Sequence, residues 1–299
     1  MVFKLGEAWV DLLHGFEQKK SRMDIGGKSL FIRGILSISS FTLLFKITNS
    51  INISIIGMAI ITIGYILTYD MYFVRGFAEI KPYITMPRLK ELIFEFLPLT
   101  LAGLMSTAGM TFPRQLLENY SGTEILGIYA TVATPAVIVQ VAATYVFNPL
   151  LTSFAMYNAE NRKRDFWRLF LKTSIVLCII SLVALGGCKI FGKWGLTFLY
   201  GEQIGKYSYL LIPVMLFTAL NGFVWFLWNI LIVLRRLKEL FIVNFLGLFV
   251  CTLSMKGFIK KYDMNGVSYV LILYTFLLIL MMLVVLYVNM KKMRQAIID

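Results

Sequence analysis

Long apolar stretches alternate with short polar connectors along almost the whole chain. A helix needs roughly 20 mostly apolar residues to cross a hydrocarbon core about 30 Å thick. Stretches that approach this length lie at residues 30–47, 51–74, 92–112, 125–147, 169–190, 207–234, 240–255 and 267–290. The intervals, among them 192–205 and 256–266, are rich in Gly, Asn, Pro or Lys and predict breaks. The pattern therefore predicts an all-α membrane protein with about eight transmembrane helices.

Before the first span, residues 1–28 mix apolar and charged side chains. The apolar ones recur at roughly helical spacing, at Phe3, Leu5, Trp9, Leu12, Leu13 and Phe16. This pattern predicts an amphipathic helix, either at the membrane surface or as the end of a longer buried helix. We assign residues 1–28 to a cytoplasmic amphipathic segment and linker.

The connectors divide the spans into two groups. The first two spans, within residues 29–74, are separated only by a turn at residues 49–50, whereas a polar connector at 75–91 precedes the other six. We predict that the first pair forms one group and that 75–91 is a cytoplasmic linker. Six helices at 92–290 then form a second group, and 291–299 is a cytoplasmic tail.

Composition supports a membrane location. Hydrophobic residues make up 59% of the 299 residues and the mean hydropathy is +0.77, which is too apolar for a soluble domain. The net charge of +13 comes from an excess of Lys and Arg, and 21 of these 29 residues lie on one side of the predicted topology. This bias predicts a multi-pass protein of the cytoplasmic membrane with both termini in the cytoplasm. It also explains the charge without nucleic acid as a partner.

Few residues are suited to catalysis. His14 is the only histidine, and the three cysteines, Cys178, Cys188 and Cys251, show no CxxC spacing. The spans contain no pair of mid-membrane carboxylates for acid–base or metal chemistry. We therefore expect neither an enzyme nor a bound cofactor or metal, and the passage of a substrate between helices is the default function.

Ionisable residues beside the spans are the first candidates for a substrate cavity, because charge in hydrocarbon is costly. Arg114 follows a run of small residues at the end of the third span, and Glu118 lies four residues later. This pair either faces the cavity or forms an ion pair at the membrane surface. Arg33 and Asp70 are further candidates, although both lie near span ends, where flanking of the membrane is the stronger interpretation.

A polar stripe marks the fourth span. Its residues recur at three- and four-residue spacing and lie roughly on one helix face, at Gln140, Thr144, Tyr145 and Asn148. In lipid such a face turns toward other helices or a cavity, so Gln140, Tyr145 and Asn148 are cavity candidates. A weaker stripe on the sixth span, which we interpret as packing, consists of Trp225, Trp228 and Asn229.

Several short motifs resemble one family of exporters. Residues 96–100 (Phe-Leu-Pro-Leu-Thr), Arg114 and residues 121–130 (Ser-Gly-Thr-Glu-Ile-Leu-Gly-Ile-Tyr-Ala) are similar to the seventh and eighth helices of polysaccharide-biosynthesis flippases. These flippases belong to the multidrug/oligosaccharidyl-lipid/polysaccharide exporter superfamily. Segments within residues 15–34 resemble the linker between that family's fourth and fifth helices. One departure is Pro113, because in the family an acidic or amide residue often precedes the arginine.

The resemblance implies a fold of two six-helix lobes around a central cavity. This chain would hold two helices of the first lobe and the complete six-helix second lobe, without the first four helices. The implied function is a flippase that moves an isoprenoid-pyrophosphate-linked oligosaccharide across the cytoplasmic membrane for surface polysaccharide export, here in truncated form. Expected partners are the lipid-linked oligosaccharide, membrane lipids, and a separately encoded N-terminal half or glycan-assembly proteins.

Three alternatives stay open. A multidrug exporter of the same superfamily would be expected to show acidic residues within its spans, and this chain has no mid-span carboxylate. A membrane-embedded polysaccharide polymerase usually has a large outer loop with catalytic groups, whereas the longest outer loop here, 191–206, has a single carboxylate, Glu202. The third alternative is a non-transporting remnant, because alternating access requires two lobes that rock against each other.

Overall fold

The computed structural model describes residues 2–19, 22–76 and 85–295, and nearly all of them are helical. The helices are α1 (Val2–Lys19), α2 (Met23–Thr48), α3 (Ile51–Arg75), α4 (Met86–Ser121), α5 (Thr123–Ala159), α6 (Lys163–Tyr200), α7 (Ser208–Val233), α8 (Leu237–Tyr262) and α9 (Met264–Gln295). A π-helical turn interrupts α3 at Ile66–Asp70, and 3-10 turns interrupt α5 at Thr134–Ala136 and Asn148–Leu150. The chain divides into two compact units, Met1–Thr85 and Met86–Asp299.

Helices α2 to α9 are each long and apolar enough to cross a bilayer. Many of their large apolar side chains point outward; Ile38 is 72% exposed and Phe198 is 75% exposed. An apolar outer surface of this kind is what lipid requires. Within the described part of the chain, the prediction of an all-α protein with eight spanning helices is confirmed.

Two predicted breaks are much shorter in the structure than the sequence indicated. Residues 192–200 continue helix α6, and the interval 256–266 contains only a one-residue turn at Asp263, with α8 and α9 on either side. Gly192 is a packing residue, because a Cβ there would lie 2.5 Å from Cδ2 of Leu211 in α7. The chain turns instead at Gly201, whose φ of 82° favours glycine.

The predicted ends of other spans also differ from the structure. Helix α2 begins at Met23, well before residue 29, and α4 begins at Met86, inside the predicted connector 75–91. The middle of that connector, residues 77–84, and the end of the predicted tail, residues 296–299, lie outside the described residues.

Helix α7 forms the centre of the second unit. It packs against α5, α6 and α9, while α8 packs against α4 and α9. Two-thirds of its apolar stretch is buried, far more than in the other spans. Phe226 stacks on Phe170 of α6 with ring centroids 5.4 Å apart and lies 5.8 Å from Phe147 of α5. These aromatic contacts hold α5, α6 and α7 together. Other faces of α5 and α7 carry the polar residues described below.

The first unit is a helical hairpin with a third helix against it. Helices α2 and α3 are joined at Asn49, which adopts φ 50°, a left-handed conformation that asparagine tolerates. Helix α1 packs on both of them. The small apolar core of this first unit consists of Val10, Leu13, Ile66 and Val74.

Candidate functional site

Among the described residues, two polar cavities border both α4 and α7. The larger of these two lies between the two helices and has a volume of about 560 Å³. Small and hydroxyl-bearing residues of α4 form one wall, and two indole rings with an amide form the other. The lining residues are Gly103, Ser106, Thr107, Met110, Thr111, Val224, Trp225, Trp228 and Asn229. This combination of flat aromatic surface and polar groups suits an amphipathic ligand.

Hydrogen bonds within each helix decide what this cavity offers a ligand. The hydroxyl of Thr107 donates to the carbonyl of Gly103 at 2.9 Å, and the hydroxyl of Thr111 donates to that of Thr107 at 2.8 Å. Nδ2 of Asn229 donates to the carbonyl of Trp225 at 2.8 Å. Because these groups use a donor internally, their oxygen atoms stay available as acceptors. The cavity therefore presents acceptor oxygens next to indole rings.

Gly103 keeps the larger cavity open. A Cβ built at this position meets no described atom within 4 Å, so the backbone borders empty space. The next glycine of the helix, Gly109, is different, because a Cβ there would lie 2.5 Å from Cζ of Tyr274. Gly103 thus leaves space for the cavity, whereas Gly109 allows close packing against Tyr274.

The smaller cavity, of about 160 Å³, lies between α4, α5 and α7. It is lined by Arg114, Tyr129, Ala130, Ala133, Thr134, Val137, Gln140, Val214, Phe217 and Thr218. Two of the predicted residues, Arg114 and Gln140, therefore line one space although they belong to different helices. The turn at Gly122, with φ 88°, reverses the chain between α4 and α5 and brings them together.

The Arg114 guanidinium lies free on this cavity. It is exposed, and among the described residues it forms no ion pair with Glu118, which is half-buried and lines neither cavity. The hydroxyls of Thr134 and Thr218 donate to carbonyls of their own helices, at 3.0 and 2.9 Å. One full positive charge thus stands beside neutral polar groups.

Pro113 shapes α4 immediately before Arg114. A proline has no N–H to donate, so the carbonyl four residues earlier, that of Gly109, loses its usual helical partner. The thiol of Cys251 in α8 donates to this carbonyl, with Sγ and O 3.5 Å apart. The thiol of Cys251 thus replaces the helical hydrogen-bond donor that is lost because residue 113 is a proline.

The other predicted residues are dispersed. Tyr145 is 69% exposed and lines neither of the two cavities, and Asn148 begins the second 3-10 turn of α5. Arg33 and Asp70 belong to the first unit, where Asp70 is fully buried near His14. Their assignment to a substrate cavity stays a prediction.

The sequence interpretation missed the indole wall. Trp225, Trp228 and Asn229 had been assigned to packing, yet they line the larger cavity, and Trp225 is 44% exposed. Their three- and four-residue spacing was visible in the sequence. Spacing alone does not tell whether a helix face meets a neighbouring helix or an open cavity.

One curated protein and one solved structure are similar to this chain. The chain is 23% identical over 271 residues to the capsular polysaccharide biosynthesis protein CapF of Staphylococcus aureus, a match that covers 89% of this chain and 68% of CapF. The structure matches the outward-facing conformation of a multidrug resistance MATE family transporter of the MOP superfamily. That match has a TM-score of 0.77 and 10% sequence identity, and it covers 96% of this chain and 67% of the transporter.

The chain has the fold of this exporter superfamily. The relative in polysaccharide biosynthesis and the transporter fold are both consistent with the resemblance that the motifs indicated. No family model matches the sequence. Eight apolar helices and this fold make the chain a multi-pass membrane protein.

Proposed function

We propose that the chain transports an isoprenoid-diphosphate-linked oligosaccharide across the cytoplasmic membrane during surface polysaccharide export. The observation that supports this most directly is the arrangement of the two cavities, which share helices α4 and α7. One contains a guanidinium, and the other contains two indoles and several acceptor oxygens. A diphosphate and a sugar are chemically matched to these two environments.

Arg114 is the proposed diphosphate ligand. A guanidinium presents several N–H donors in a planar fork and binds phosphate oxygens with charge-assisted hydrogen bonds. Among the described residues, Arg114 forms no ion pair with Glu118, so its charge is available to a ligand. The Gln140 side chain offers an additional amide N–H donor in the same cavity. In a low-dielectric surrounding, one such charge strongly favours an anionic headgroup over a neutral lipid.

The indole wall is the proposed sugar ligand. One face of a pyranose ring is formed largely by C–H groups, which pack on a flat aromatic ring, while its hydroxyls donate to nearby acceptors. Trp225 and Trp228 supply the flat surface, and the oxygen atoms of Thr107, Thr111 and Asn229 supply acceptors. The cavity thus satisfies both the apolar and the polar sides of a sugar.

A multidrug exporter is the second candidate, because the matched structure is described as a multidrug resistance transporter. The residues that line the two cavities include one cation and no carboxylate. A lipophilic cation would find no opposite charge there, whereas an anionic lipid would. The lining therefore favours the lipid-linked oligosaccharide.

A binding comparison separates these candidates. The full chain, purified in lipid nanodiscs, is titrated with three probes: a polyprenyl diphosphate that bears an oligosaccharide, bare polyprenyl diphosphate, and a lipophilic cation. We expect the glycan-bearing lipid to bind most tightly and the cation most weakly. Preference for the cation would favour the multidrug alternative, and absence of binding by both lipids would overturn the proposal.

A further inference from the structure

A group of buried polar side chains in the first unit is not used by the proposed transport site. Eight of their nitrogen and oxygen atoms are shielded from solvent and have no hydrogen-bond partner among the described residues. They come from three helices and belong to His14, Glu17, Ser29, Arg33, Tyr65 and Asp70. Because buried polar groups are nearly always hydrogen-bonded, this concentration requires a physical explanation.

Three titratable side chains of the cluster, those of His14, Glu17 and Asp70, lie close together. Nε2 of His14 is 3.7 Å from Oδ1 of Asp70, which is fully buried. Glu17 lies three residues after His14 on the same face of α1 and is 1% exposed. Gly26 of α2 makes room for both, because a Cβ there would lie 2.9 Å from Oε2 of Glu17 and 3.4 Å from the His14 ring.

The electrostatics disfavour two bare carboxylates in this place. Burial raises the pKa of Glu17; the nearby imidazole of His14 lowers it, and the carboxylates of Asp70 and Asp24 raise it. A buried carboxylate without a donor is costly, and the cost falls when a proton neutralises it. The surroundings of Glu17 therefore favour its protonated form.

Other charged and titratable groups also border the cluster. From α2, Asp24 is engaged by Arg22 in an ion pair at 2.9 Å, and one Nη atom of Arg33 is buried without a partner. From α3, Tyr65 and Tyr69 contribute phenol rings that stack with ring centroids 5.1 Å apart. Among the described residues of α2, Arg33 is the only Lys or Arg with a buried side-chain nitrogen that has no hydrogen-bond partner.

We propose that His14, Glu17 and Asp70 form a proton-binding site that holds α1 against the π-turn end of α3. With the proton bound, a neutral Glu17 has an O–H to donate to an acceptor of the cluster. Loss of the proton leaves Glu17 as a buried, acceptor-only carboxylate that is repelled by the charge of Asp70. Docking of α1 is therefore tighter at low pH and weaker at high pH.

A proton suits this site better than a divalent metal does. In the described part of the chain, no group of three His, Cys, Asp or Glu side chains has the spacing of a metal site. The π-helical turn Ile66–Asp70 also places Asp70 at an irregular point of α3, where such turns are frequent at functional sites.

The sign of the pH dependence follows from linkage. A carboxyl group with a pKa raised by docking binds more protons in the docked state. Its contribution to docking is complete below its ordinary pKa and is lost as the pH rises through the raised value. For a single linked proton, the docking equilibrium changes by up to about tenfold per pH unit in that window.

Hydrogen exchange of the full chain in nanodiscs tests the site, with rates corrected for the intrinsic effect of pH. We expect the amides of α1 to lose protection as the pH rises, and we expect Glu17→Gln and Asp70→Asn to flatten this dependence. Asp11→Asn is the matched control, because Asp11 lies exposed on the same helix. The control is expected to retain the wild-type dependence.

A second measurement does not rely on the stability of the variants. Infrared spectroscopy of the wild-type chain, followed through a pH titration, should show a protonated carboxyl C=O band that persists to a higher pH than that of an ordinary glutamic acid. Absence of such a band, together with pH-independent protection of α1, would overturn the proposal. Protection that responds to Na⁺ at constant pH and not to pH would also overturn it, since a cation would then fill the site.

Discussion

The thiol of Cys251 donates a hydrogen bond to the backbone carbonyl of Gly109, with Sγ and O 3.5 Å apart. This contact joins α8 to α4 at the carbonyl that Pro113 leaves without a helical partner. It lies one turn before Arg114 and so helps to determine how α4 presents the guanidinium to the smaller cavity.

Replacement of this thiol tests the contact. Cys251→Ala leaves the Gly109 carbonyl unsatisfied in a buried place, and we expect a loss of about 1 kcal/mol in stability. Cys251→Ser supplies a stronger donor of similar size and is expected to be close to the wild type. Thermal unfolding in detergent is the measurement, with Cys178→Ala, at an exposed position, as control. Equal unfolding temperatures for Cys251→Ala and the wild type would contradict the role.

Gly109 itself allows α4 to pack closely on α9. A Cβ at this position would lie 2.5 Å from Cζ of the buried Tyr274. We expect Gly109→Ala to destabilise the chain by about 1–3 kcal/mol, because the tyrosine ring has to move in a packed core. Gly186→Ala, where no described atom lies within 4 Å of the added Cβ, is the control and should be neutral or slightly stabilising.

The positions of the spans could be predicted from the sequence because apolar runs report directly on contact with lipid. Their ends could not, since Gly192 resembles a break and proves to be a packing residue against Leu211. Arg114 and Gln140 could each be named as cavity candidates, but the shape of the space that they share depends on how α4 and α5 lie side by side. Trp225 shows the same limit: helical spacing identifies a face of α7 but not what that face borders.

Filling the larger cavity tests whether its volume is used. Gly103 borders open space, so Gly103→Leu should fold normally and occupy part of the cavity. We expect binding of a glycan-bearing polyprenyl diphosphate to fall while bare polyprenyl diphosphate is affected less. Gly186→Leu adds the same side chain elsewhere and should leave binding unchanged. Wild-type binding by Gly103→Leu would show that this space is not a ligand site.

The indole wall makes a prediction about sugar recognition. Trp225→Ala removes a half-exposed ring, and we expect glycan-bearing lipid to bind about fivefold more weakly or worse, equivalent to about 1 kcal/mol. Trp225→Phe keeps a flat ring and should retain most of the affinity. Trp194→Ala, at another exposed tryptophan, controls for general effects. Loss of affinity for the bare diphosphate lipid to the same extent would argue against a sugar contact.

Transport itself tests the central claim that Arg114 binds a lipid diphosphate. Proteoliposomes that contain the full chain receive a fluorescent polyprenyl diphosphate glycan, and its movement between leaflets is followed with a membrane-impermeant reagent. Charge-assisted hydrogen bonds contribute about 1.5–3 kcal/mol, so Arg114→Ala should slow movement at least about tenfold. Arg164→Ala, at an exposed basic position, should match the wild type. Equal rates for the wild type and Arg114→Ala, or no movement above that in empty liposomes, would contradict the account.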